Sequence, residues 1–476
     1  MTDETLMQQA VALLRAGRPR EAGRCCEQLL AEQPEHVPAL RLRAHVARQC
    51  GDPVTAARSL QTALRQVPGS AELWAEYATV LAAGGDFDGA LEAYGRACAI
   101  RPDFVEALDS RGIVLTHVGR PGEAIRCFDD AIAHAPRRLP TYLHRGEALR
   151  QTGRFDAAAK SYRQALELRR GPDNVSPEEE REYLFGCASA HKLRHDIEQL
   201  EYLVGRGIQP ERFAPEIEAY RDTLAEFESE PGDLVRRLTP AQRARLGRTY
   251  NRPTHIATPG VSGPLLDPGL DGADIERRYR TGKPEIVVVD GLLRPEALAA
   301  IRVFCLESTI WYEFSKTGGY IGSYMDDGFA GELTLRLAEE LRERLPGLLG
   351  NHPLLNMWAY RYDSRMSGIQ THADSAAVNV NFWITPDEAN LEPERGGLEL
   401  YTREAPLDWD FERYNEDQDA IARHVAGCEA VRVPYRENRA IVFNSNLFHR
   451  TDDFQFRAGF TNRRINITLL YGTRGS

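Results

Sequence analysis

Small and bulky apolar positions recur every 34 residues through the first third of the chain. The repeating small positions are Ala10, Ala44, Ala78, Gly112 and Gly146, and the repeating bulky positions are Leu6, Leu40, Trp74, Leu108 and Tyr142. Glycine recurs in the same register from Gly17 to Gly153, and proline recurs from Pro34 to Pro136. This pattern predicts pairs of antiparallel helices, because small side chains let two helices approach and glycine or proline ends each helix.

The period and the residue types resemble the tetratricopeptide repeat (TPR), and the resemblance covers five repeats within residues 1–172. It implies a helical solenoid whose concave groove binds a protein or peptide, with a structural spacer or a dimerisation arm as the alternative. Chaperone-binding members of the family clamp a carboxylate in this groove with lysine and asparagine. A chaperone-adaptor role is not expected here, because the corresponding positions are Met7, Arg41, Ala75, Asp109 and Leu143.

The 34-residue register ends after residue 172. Residues 173–232 keep a helical pattern, which predicts an irregular helical cap, since a terminal unit of a solenoid needs a different outer face. Residues 233–283 are rich in proline and glycine between Pro253 and Gly272. That density of helix-breaking residues predicts a linker or an extended arm.

Residues 284–476 contain the short apolar runs that are typical of β-strands. A run at 286–290 precedes two amphipathic helices near 295–308 and 330–345. The further strand-like runs are 356–363, 376–385, 397–402, 429–433, 439–444 and 463–471, with short pieces near 370–372 and 447–450. This pattern predicts a double-stranded β-helix, the cupin-like jelly roll, with flanking helices. The whole chain is therefore predicted to be multidomain, an α-helical solenoid followed by an α+β domain.

Two stretches between these elements are candidates for moving parts. Residues 316–329 carry glycines beside aromatic residues, which predicts a mobile loop over the mouth of a site. Residues 408–424 form a long acidic stretch between two strands. They are either a lid that favours a basic substrate or a solvated helical insertion.

Composition and charge narrow the class of protein. Of the 476 residues, 42% are hydrophobic and 27% are charged, which is an ordinary globular composition with room for several domains. The formal net charge is −11 and no block of Lys or Arg is present, so a nucleic-acid partner is not expected. No apolar run approaches a membrane span, and the eight cysteines show no CxxC pair. We therefore expect a cytoplasmic protein with reduced thiols and no membrane partner.

The candidate chemistry lies in the C-terminal part of the chain. His372 and Asp374 form a His-x-Asp sequence, and His449 follows 75 residues after Asp374. Two imidazole nitrogens and one carboxylate oxygen form the ligand set that holds Fe(II) on one face and leaves the opposite positions open. The sequence therefore offers these three residues as a candidate iron site.

The order of a helix pair, a strand, His-x-Asp, a Gly-Gly strand, a distal His and a basic strand resembles the Fe(II)/2-oxoglutarate-dependent oxygenases, in their prolyl-hydroxylase-like branch. The resemblance covers residues 284–476 and includes Gly396 and Gly397 in the Gly-Gly strand. It implies that His372, Asp374 and His449 are the iron ligands and the catalytic centre, with 2-oxoglutarate and O2 as co-substrates. Retention of the carboxylate ligand favours hydroxylation over halogenation.

The resemblance also implies an arginine on the last strand that binds the distal carboxylate of 2-oxoglutarate, and the candidates are Arg457, Arg463 and Arg464. Strand alternation places Arg464 on the polar face with Asn466 and Thr468, and Arg463 on the apolar face. Arg464 is therefore favoured, and Arg-x-Asn-x-Thr is similar to the co-substrate strand of AlkB-type members. Further candidates for the co-substrate pocket are Tyr360, Tyr362 and Asn381.

Taken together, these patterns predict a 2-oxoglutarate-dependent Fe(II) dioxygenase that hydroxylates a protein or peptide docked by the TPR domain. One alternative is a non-catalytic TPR scaffold with a structural jelly roll. The other is an oxygenase that acts on a small molecule or a nucleic-acid base, which the acidic charge disfavours.

Overall fold

The computed structural model describes residues 3–229, 235–314, 320–362 and 368–475. The chain forms two compact units, Met1–Ser161 and Tyr162–Ser476. The described cysteines are all free thiols. None of the described helices is both long enough and apolar enough to cross a membrane.

The first unit is the helical repeat array that the 34-residue period predicts. Its helices are α1 Asp3–Arg15, α2 Pro19–Glu32, α3 Val37–Gln49, α4 Pro53–Gln66, α5 Ala71–Ala83, α6 Phe87–Ile100, α7 Val105–His117, α8 Pro121–His134, α9 Leu139–Gln151 and α10 Phe155–Arg170, the last of which ends in the second unit. The recurring glycines lie between the two helices of each repeat and have positive φ angles, which range from 70° at Gly153 to 83° at Gly85. After Gly17, the Arg18 N–H donates to the Leu13 carbonyl at 2.9 Å, which satisfies the end of α1. The recurring glycine is therefore a left-handed helix stop.

The recurring small residues are the places where helices touch. Ala10, Ala44 and Ala78 are at most 3% exposed. At Gly112, a methyl group in place of the Cα hydrogen would lie 2.5 Å from Cε1 of Phe128, which is fully buried. Packing between α7 and α8 therefore depends on the absence of a side chain at this position.

We expect Gly112→Ala to loosen the α7–α8 pair, because the added methyl group overlaps a ring that has no room to move. Overpacking of this kind costs about 1–3 kcal/mol. The matched control is Gly95→Ala in the interior of α6, where an added Cβ meets no atom within 4 Å. That change should stabilise its helix by about 0.5–1 kcal/mol. Hydrogen–deuterium exchange of the amides in each helix pair measures both effects, and equal protection changes would contradict the packing argument.

The second unit begins with helices in the region predicted to be a cap. These are α11 Glu178–Gly186, α12 Ala190–Gly205 and α13 Pro210–Ser229, with a two-stranded antiparallel ladder of β1 Cys187–Ala188 and β2 Arg236–Arg237. The predicted boundary between cap and linker, at residues 232 and 233, lies outside the described residues. Two short helices then follow, α14 Pro240–Leu246 and α15 Gly272–Thr281.

The stretch between α14 and α15 contains the proline- and glycine-rich sequence. Its described backbone has no helix or strand from residue 252 to residue 270 apart from an isolated bridge between Leu266 and Leu293. Asp267 N–H donates to the Leu292 carbonyl at 3.0 Å, and Arg294 N–H donates to the Leu265 carbonyl at 3.0 Å. This extended arm is therefore fixed to the second unit by backbone hydrogen bonds.

The rest of the second unit, where it is described, contains two antiparallel sheets and four α-helices, together with short 3-10 and π-helical turns. The strands are β3 Ile286–Asp290, β4 Tyr320–Tyr324, β5 Leu354–Tyr362, β6 Val378–Trp383, β7 Leu398–Glu404, β8 Ala430–Val433, β9 Arg439–Asn444, β10 Leu447–Thr451 and β11 Ile465–Tyr471. The helices are α16 Pro295–Glu307, α17 Glu332–Arg344, α18 Pro346–Leu349 and α19 Gln418–Val425. One sheet has the order β3-β9-β6-β11-β5-β4, and the other has the order β10-β7-β8.

Strand β4 lies in the stretch for which a mobile loop was predicted. Residues 316–319 of that stretch are outside the described residues. All five residues of Tyr320–Tyr324 pair with the second half of β5. The loop prediction is therefore wrong for these five residues. The pairing of Tyr324 with Trp358 and of Gly322 with Tyr360 explains why an aromatic, glycine-containing sequence is ordered here.

The two faces of the six-stranded sheet differ in chemistry. One face carries buried aliphatic residues, such as Val380, Ile467 and Leu469. On the other face, apolar residues of β6 and β9 join residues of β7 and β8 in one core; its members include Trp383, Ile441, Phe443, Leu398, Leu400 and Val433. The same face also buries polar residues, namely Asn379, Asn381, Asn466 and Thr468. This polar strip lies where the two sheets face each other, next to the candidate site.

Candidate metal centre

The backbone brings the three predicted ligands together. His372 and His449 form an antiparallel bridge, in which His372 N–H donates to the His449 carbonyl at 3.0 Å and His449 N–H donates back at 2.8 Å. Asp374 N–H donates to the Ser445 carbonyl at 3.1 Å. One donor atom from each of His372, Asp374 and His449 lies within 4.8 Å of the others, and within the described ranges no second group of this kind was found.

Both imidazole rings are held with the same nitrogen facing the centre. His372 Nδ1 lies 2.8 Å from the Gln370 carbonyl oxygen, and His449 Nδ1 lies 3.1 Å from the Leu447 carbonyl oxygen. Since a carbonyl only accepts, each Nδ1 carries the proton and each Nε2 keeps a free lone pair. These Nε2 atoms lie 3.7 Å and 3.5 Å from the two carboxylate oxygens of Asp374. The donor set therefore fits a metal ion that prefers nitrogen and oxygen ligands.

The electrostatics also suit a metal ion. Burial and the neighbouring His449 lower the pKa of His372 to about 4, so this imidazole is neutral at neutral pH. Burial opposes ionisation of Asp374, but hydrogen bonding and the positive charge that the two imidazoles carry when protonated outweigh it and hold the pKa of this carboxyl below its usual value. Asn379 Nδ2 donates to Asp374 Oδ2 at 2.6 Å and fixes the carboxylate. A neutral His372 and an ionised Asp374 are the protonation states that metal binding requires.

A cavity of about 740 Å³ opens onto His372 and Asp374. One wall consists of aromatic side chains from β4 and β5; these are Tyr320, Tyr324, Trp358 and Tyr360. Further lining residues come from the acidic stretch 408–424; these include Phe411, Asn415, Glu416 and Gln418. The acidic stretch therefore lines the site. From the sequence it was either a lid or a solvated helical insertion.

The acidic stretch also holds the backbone around the first histidine. It contains a π-helical turn, Glu412–Glu416, followed by α19. Asn415 Nδ2 donates to the Ala373 carbonyl at 3.0 Å, and Gln418 Nε2 donates to the Thr371 carbonyl at 3.1 Å. These two amides bracket His372 on both sides. Sequence reasoning missed them, because single Asn and Gln residues more than 40 positions away carry no recognisable spacing.

We expect the double change Asn415→Ala and Gln418→Ala to weaken metal binding without removing a ligand. Partners that orient metal ligands typically contribute about 10- to 100-fold in affinity. Asp419→Ala is the matched control, because Asp419 is exposed on the same helix and does not line the cavity. Titration with Co(II), followed by its visible ligand-field bands, measures the change. An unaltered affinity in the double variant would show that the two amides only fold the segment.

The candidate arginines have different surroundings. Arg464 is fully buried and links the two sheets, since its Nε donates to the Gly396 carbonyl at 2.7 Å and its Nη2 to the Gly397 carbonyl at 3.1 Å. Its Nη1 is buried and has no hydrogen-bond partner among the described residues. Arg463 points the other way and forms an ion pair with Glu198 at 2.8 Å. Arg457 donates to the Glu388 carbonyl at 2.7 Å. Arg464 alone thus combines burial with a spare donor.

The remaining predicted residues lie along the polar strip. The Tyr360 hydroxyl is 3.0 Å from the Tyr324 hydroxyl, and the Tyr360 ring lines the cavity. The Tyr362 ring lies under the Arg464 guanidinium, with 4.6 Å between the guanidinium carbon and the ring centre. Asn381 Nδ2 donates to Thr468 Oγ1 at 3.0 Å, while its Oδ1 is buried without a partner in the described part of the chain. Spare polar atoms at Asn381 and Arg464 mark this strip as a place for a polar ligand.

Comparison with known proteins confirms the repeats. Residues 4–28, 47–109 and 112–175 match the tetratricopeptide repeat family. The first unit is therefore a TPR solenoid, and TPR proteins bind peptides or proteins. No curated protein matches the chain.

Several solved structures are similar to part of the chain. MamA protein is 23% identical over 35% of this chain and 91% of its own, with a TM-score of 0.34. TTC0263, a thermophilic TPR protein in Thermus thermophilus, is 21% identical over 35% of this chain and 91% of its own, with a TM-score of 0.30. YrrB, described as a TPR protein with an unusual peptide-binding site, is 18% identical over 34% of this chain and 84% of its own, with a TM-score of 0.31.

Proposed function

We propose that this protein is an Fe(II)- and 2-oxoglutarate-dependent dioxygenase that hydroxylates a protein or peptide substrate docked by its TPR solenoid. The single observation that carries the proposal is the orientation of the ligand set. Two backbone carbonyls fix the Nδ1 atoms of His372 and His449, so both Nε2 lone pairs face the Asp374 carboxylate. A structural zinc site normally has four protein ligands, whereas three ligands beside an open cavity suit a reactive metal.

The connectivity of the two sheets supports a jelly roll as the scaffold. From β5 onward the chain passes to the His372 bridge, β6, β7, β8, β9, β10 and β11. Of these segments, the six-stranded sheet contains β5, β6, β9 and β11. The three-stranded sheet contains β7, β8 and β10, and the His372 bridge extends it beside β10. The chain therefore passes repeatedly from one sheet to the other. Alternation of this kind is what the winding of a double-stranded β-helix requires, and it supports that scaffold. His372 and His449 then lie on neighbouring segments at the edge of the three-stranded sheet, and Asp374 lies between this bridge and β6.

The residues that would hold iron are His372 and His449 through Nε2, and Asp374 through its carboxylate. When bound there, iron with 2-oxoglutarate and O2 supplies the oxidising power to hydroxylate a C–H bond, with release of CO2 and succinate. The protein contributes orientation and exclusion of water. Asn379 fixes the Asp374 carboxylate, and the aromatic wall keeps that side of the cavity dry.

Arg464 is the residue that we assign to the distal carboxylate of 2-oxoglutarate. A buried guanidinium with two donors already fixed by Gly396 and Gly397 is preorganised, so its spare Nη1 binds an anion without losing further side-chain freedom. Asn381 lies on the neighbouring strand in the same strip, but its unpartnered atom is an amide oxygen, which accepts hydrogen bonds and so does not bind the co-substrate carboxylate.

The docking role rests on the first unit. A cavity of about 560 Å³ there is lined by residues of α1, α3 and α5, among them Met7, Leu42 and Val80. Arg41 and Glu76 form an ion pair beside these apolar side chains. A surface with apolar contacts and charged groups suits an extended peptide segment.

The proposal is tested by adding Fe(II) and 2-oxoglutarate to the protein without oxygen. A visible metal-to-ligand charge-transfer band is expected, followed by release of succinate when O2 is admitted. If no band forms with both additions in excess, the oxygenase assignment is wrong and the TPR solenoid becomes the function, as a protein-interaction scaffold.

A further inference from the structure

The aromatic wall of the cavity is built from two paired strands. Tyr324 pairs with Trp358 and Gly322 with Tyr360, so the rings project from the same face of β4 and β5. The Tyr320 and Tyr360 ring centres are 4.3 Å apart, and Tyr324 stands edge-on to both Trp358 and Tyr360 at 6.2 Å and 6.1 Å. Gly322 gives the Tyr360 ring its place, since a Cβ there would lie 2.9 Å from Tyr360 Cε1. Four rings thus share one surface.

These rings stay neutral at all ordinary pH values. Burial raises the pKa of Tyr324 to about 12 and raises the pKa values of Tyr320 and Tyr360 as well. The hydroxyls of Tyr324 and Tyr360 satisfy each other at 3.0 Å. The wall therefore consists of electron-rich aromatic rings and has no charge of its own.

The described side chains that line the cavity carry acidic charge. Apart from His372, the ionised side chains among its described lining residues are those of Asp374 and Glu416, and no described lysine or arginine lines it. The stretch 408–419, which also supplies lining residues, contains six acidic residues and one basic residue, Arg413. Glu313 is joined to Gly322 through two backbone hydrogen bonds and raises the pKa values of Tyr320 and Tyr324 by its negative charge. This field disfavours an anionic substrate such as a nucleic-acid strand.

We propose that this cavity selects an organic cation, the guanidinium or ammonium group of an arginine or lysine side chain. The inference rests on the proposed function for the identity of the site, and it adds the chemistry of the substrate. A cation against these rings is attracted by their quadrupoles, and Glu416, which also lines the cavity, contributes the countercharge. The cation then lies in the cavity that opens onto His372 and Asp374.

The test compares peptides that differ in charge and share their shape. Acetylated, amidated tripeptides with arginine or citrulline at the centre are titrated into the full-length protein by calorimetry, with Fe(II) and 2-oxoglutarate present and O2 excluded. We expect the arginine peptide to bind about tenfold more tightly than the citrulline peptide, a preference of the size that one desolvated cation–π site gives. A lysine and norleucine pair repeats the comparison.

Two variants assign the preference to the cavity. Trp358→Leu and Glu416→Gln should each reduce the arginine preference to about threefold or less, as expected when a ring face or the countercharge is lost. Glu412→Gln is the matched control, because Glu412 is exposed on the same turn and does not line the cavity. Circular dichroism shows whether each variant is folded. Equal binding of the charged and neutral peptides by wild type, or a preference that survives both variants, overturns the inference.

Free arginine amide and tetramethylammonium form a further arm of the experiment. If these small cations bind as tightly as the arginine peptide, the substrate is a small molecule. If they bind much more weakly, the substrate is a peptide that carries the cation on a side chain. The visible iron–2-oxoglutarate band is recorded in the same samples. A band without any preference for cations rejects the inference and keeps the proposed function, whereas a preference without a band rejects the proposed function.

Discussion

Replacement of His449 by alanine is expected to abolish the visible band that Fe(II) and 2-oxoglutarate produce in the wild-type protein. The change removes one of three ligands and leaves only the imidazole nitrogen of His372 and the carboxylate of Asp374 to hold the metal ion. Loss of a supporting partner alone costs up to about 100-fold in metal affinity, so loss of a ligand should cost more than about 100-fold. Anaerobic titration with Fe(II), followed at the band, measures the loss.

The control for this prediction is His134→Ala, because His134 is an exposed histidine on α8 of the repeat array. It should leave the band unchanged. The backbone bridge between residues 372 and 449 does not depend on the side chain, so the His449 variant should keep its fold in circular dichroism. A folded His449→Ala protein with a normal band would remove His449 from the metal centre.

The second large effect is expected at Arg464. Arg464→Leu should raise the concentration of 2-oxoglutarate needed for half of the band by about 30- to 150-fold, the equivalent of about 2–3 kcal/mol for a hydrogen bond to a charged group. Arg464→Lys keeps the charge but loses the forked geometry, so its effect should be smaller. Titration of the band with 2-oxoglutarate at saturating Fe(II) gives the dissociation constant for each variant.

Arg463→Leu is the matched comparison, since the two arginines are adjacent and face opposite sides of β11. It should reduce stability through loss of the ion pair with Glu198 and leave the co-substrate affinity unchanged. Arg464 also satisfies the carbonyls of Gly396 and Gly397, so thermal unfolding of its variants has to be recorded alongside. A larger loss of affinity in Arg463→Leu would reverse the assignment.

Much of the fold could be predicted because its signals are repeated or periodic. Five copies of one glycine register are far stronger than any single glycine, and each of these glycines has the left-handed conformation that ends a helix. Among the strands, the run predicted at 439–444 is β9, Arg439–Asn444, and the run predicted at 356–363 overlaps β5, Leu354–Tyr362. Apolar alternation carried this information.

What the sequence did not predict depends on tertiary contacts. Strand β4 contains Gly322 and three polar or aromatic neighbours, and it becomes a strand through its pairing with β5. Asn415 and Gln418 support the centre through hydrogen bonds to the carbonyls beside His372, contacts that only the folded chain creates. Alternation predicts that Arg463 and Arg464 face opposite ways, and the structure pairs Arg463 with Glu198 and Arg464 with the Gly396 carbonyl. Which of them binds the co-substrate stays a prediction.

The backbone bridge between His372 and His449 has a consequence for metal selectivity. Two main-chain hydrogen bonds hold His372 and His449 together, so the metal ligands are in place before a metal ion binds. A preassembled set of two imidazoles and a carboxylate follows the Irving–Williams order, in which Zn(II) and Cu(II) bind more tightly than Fe(II). Zinc is therefore expected to compete as an inert occupant. The metal ion that occupies the site then depends on the concentrations of free metal ions around the protein. Binding of iron therefore depends on cellular metal homeostasis.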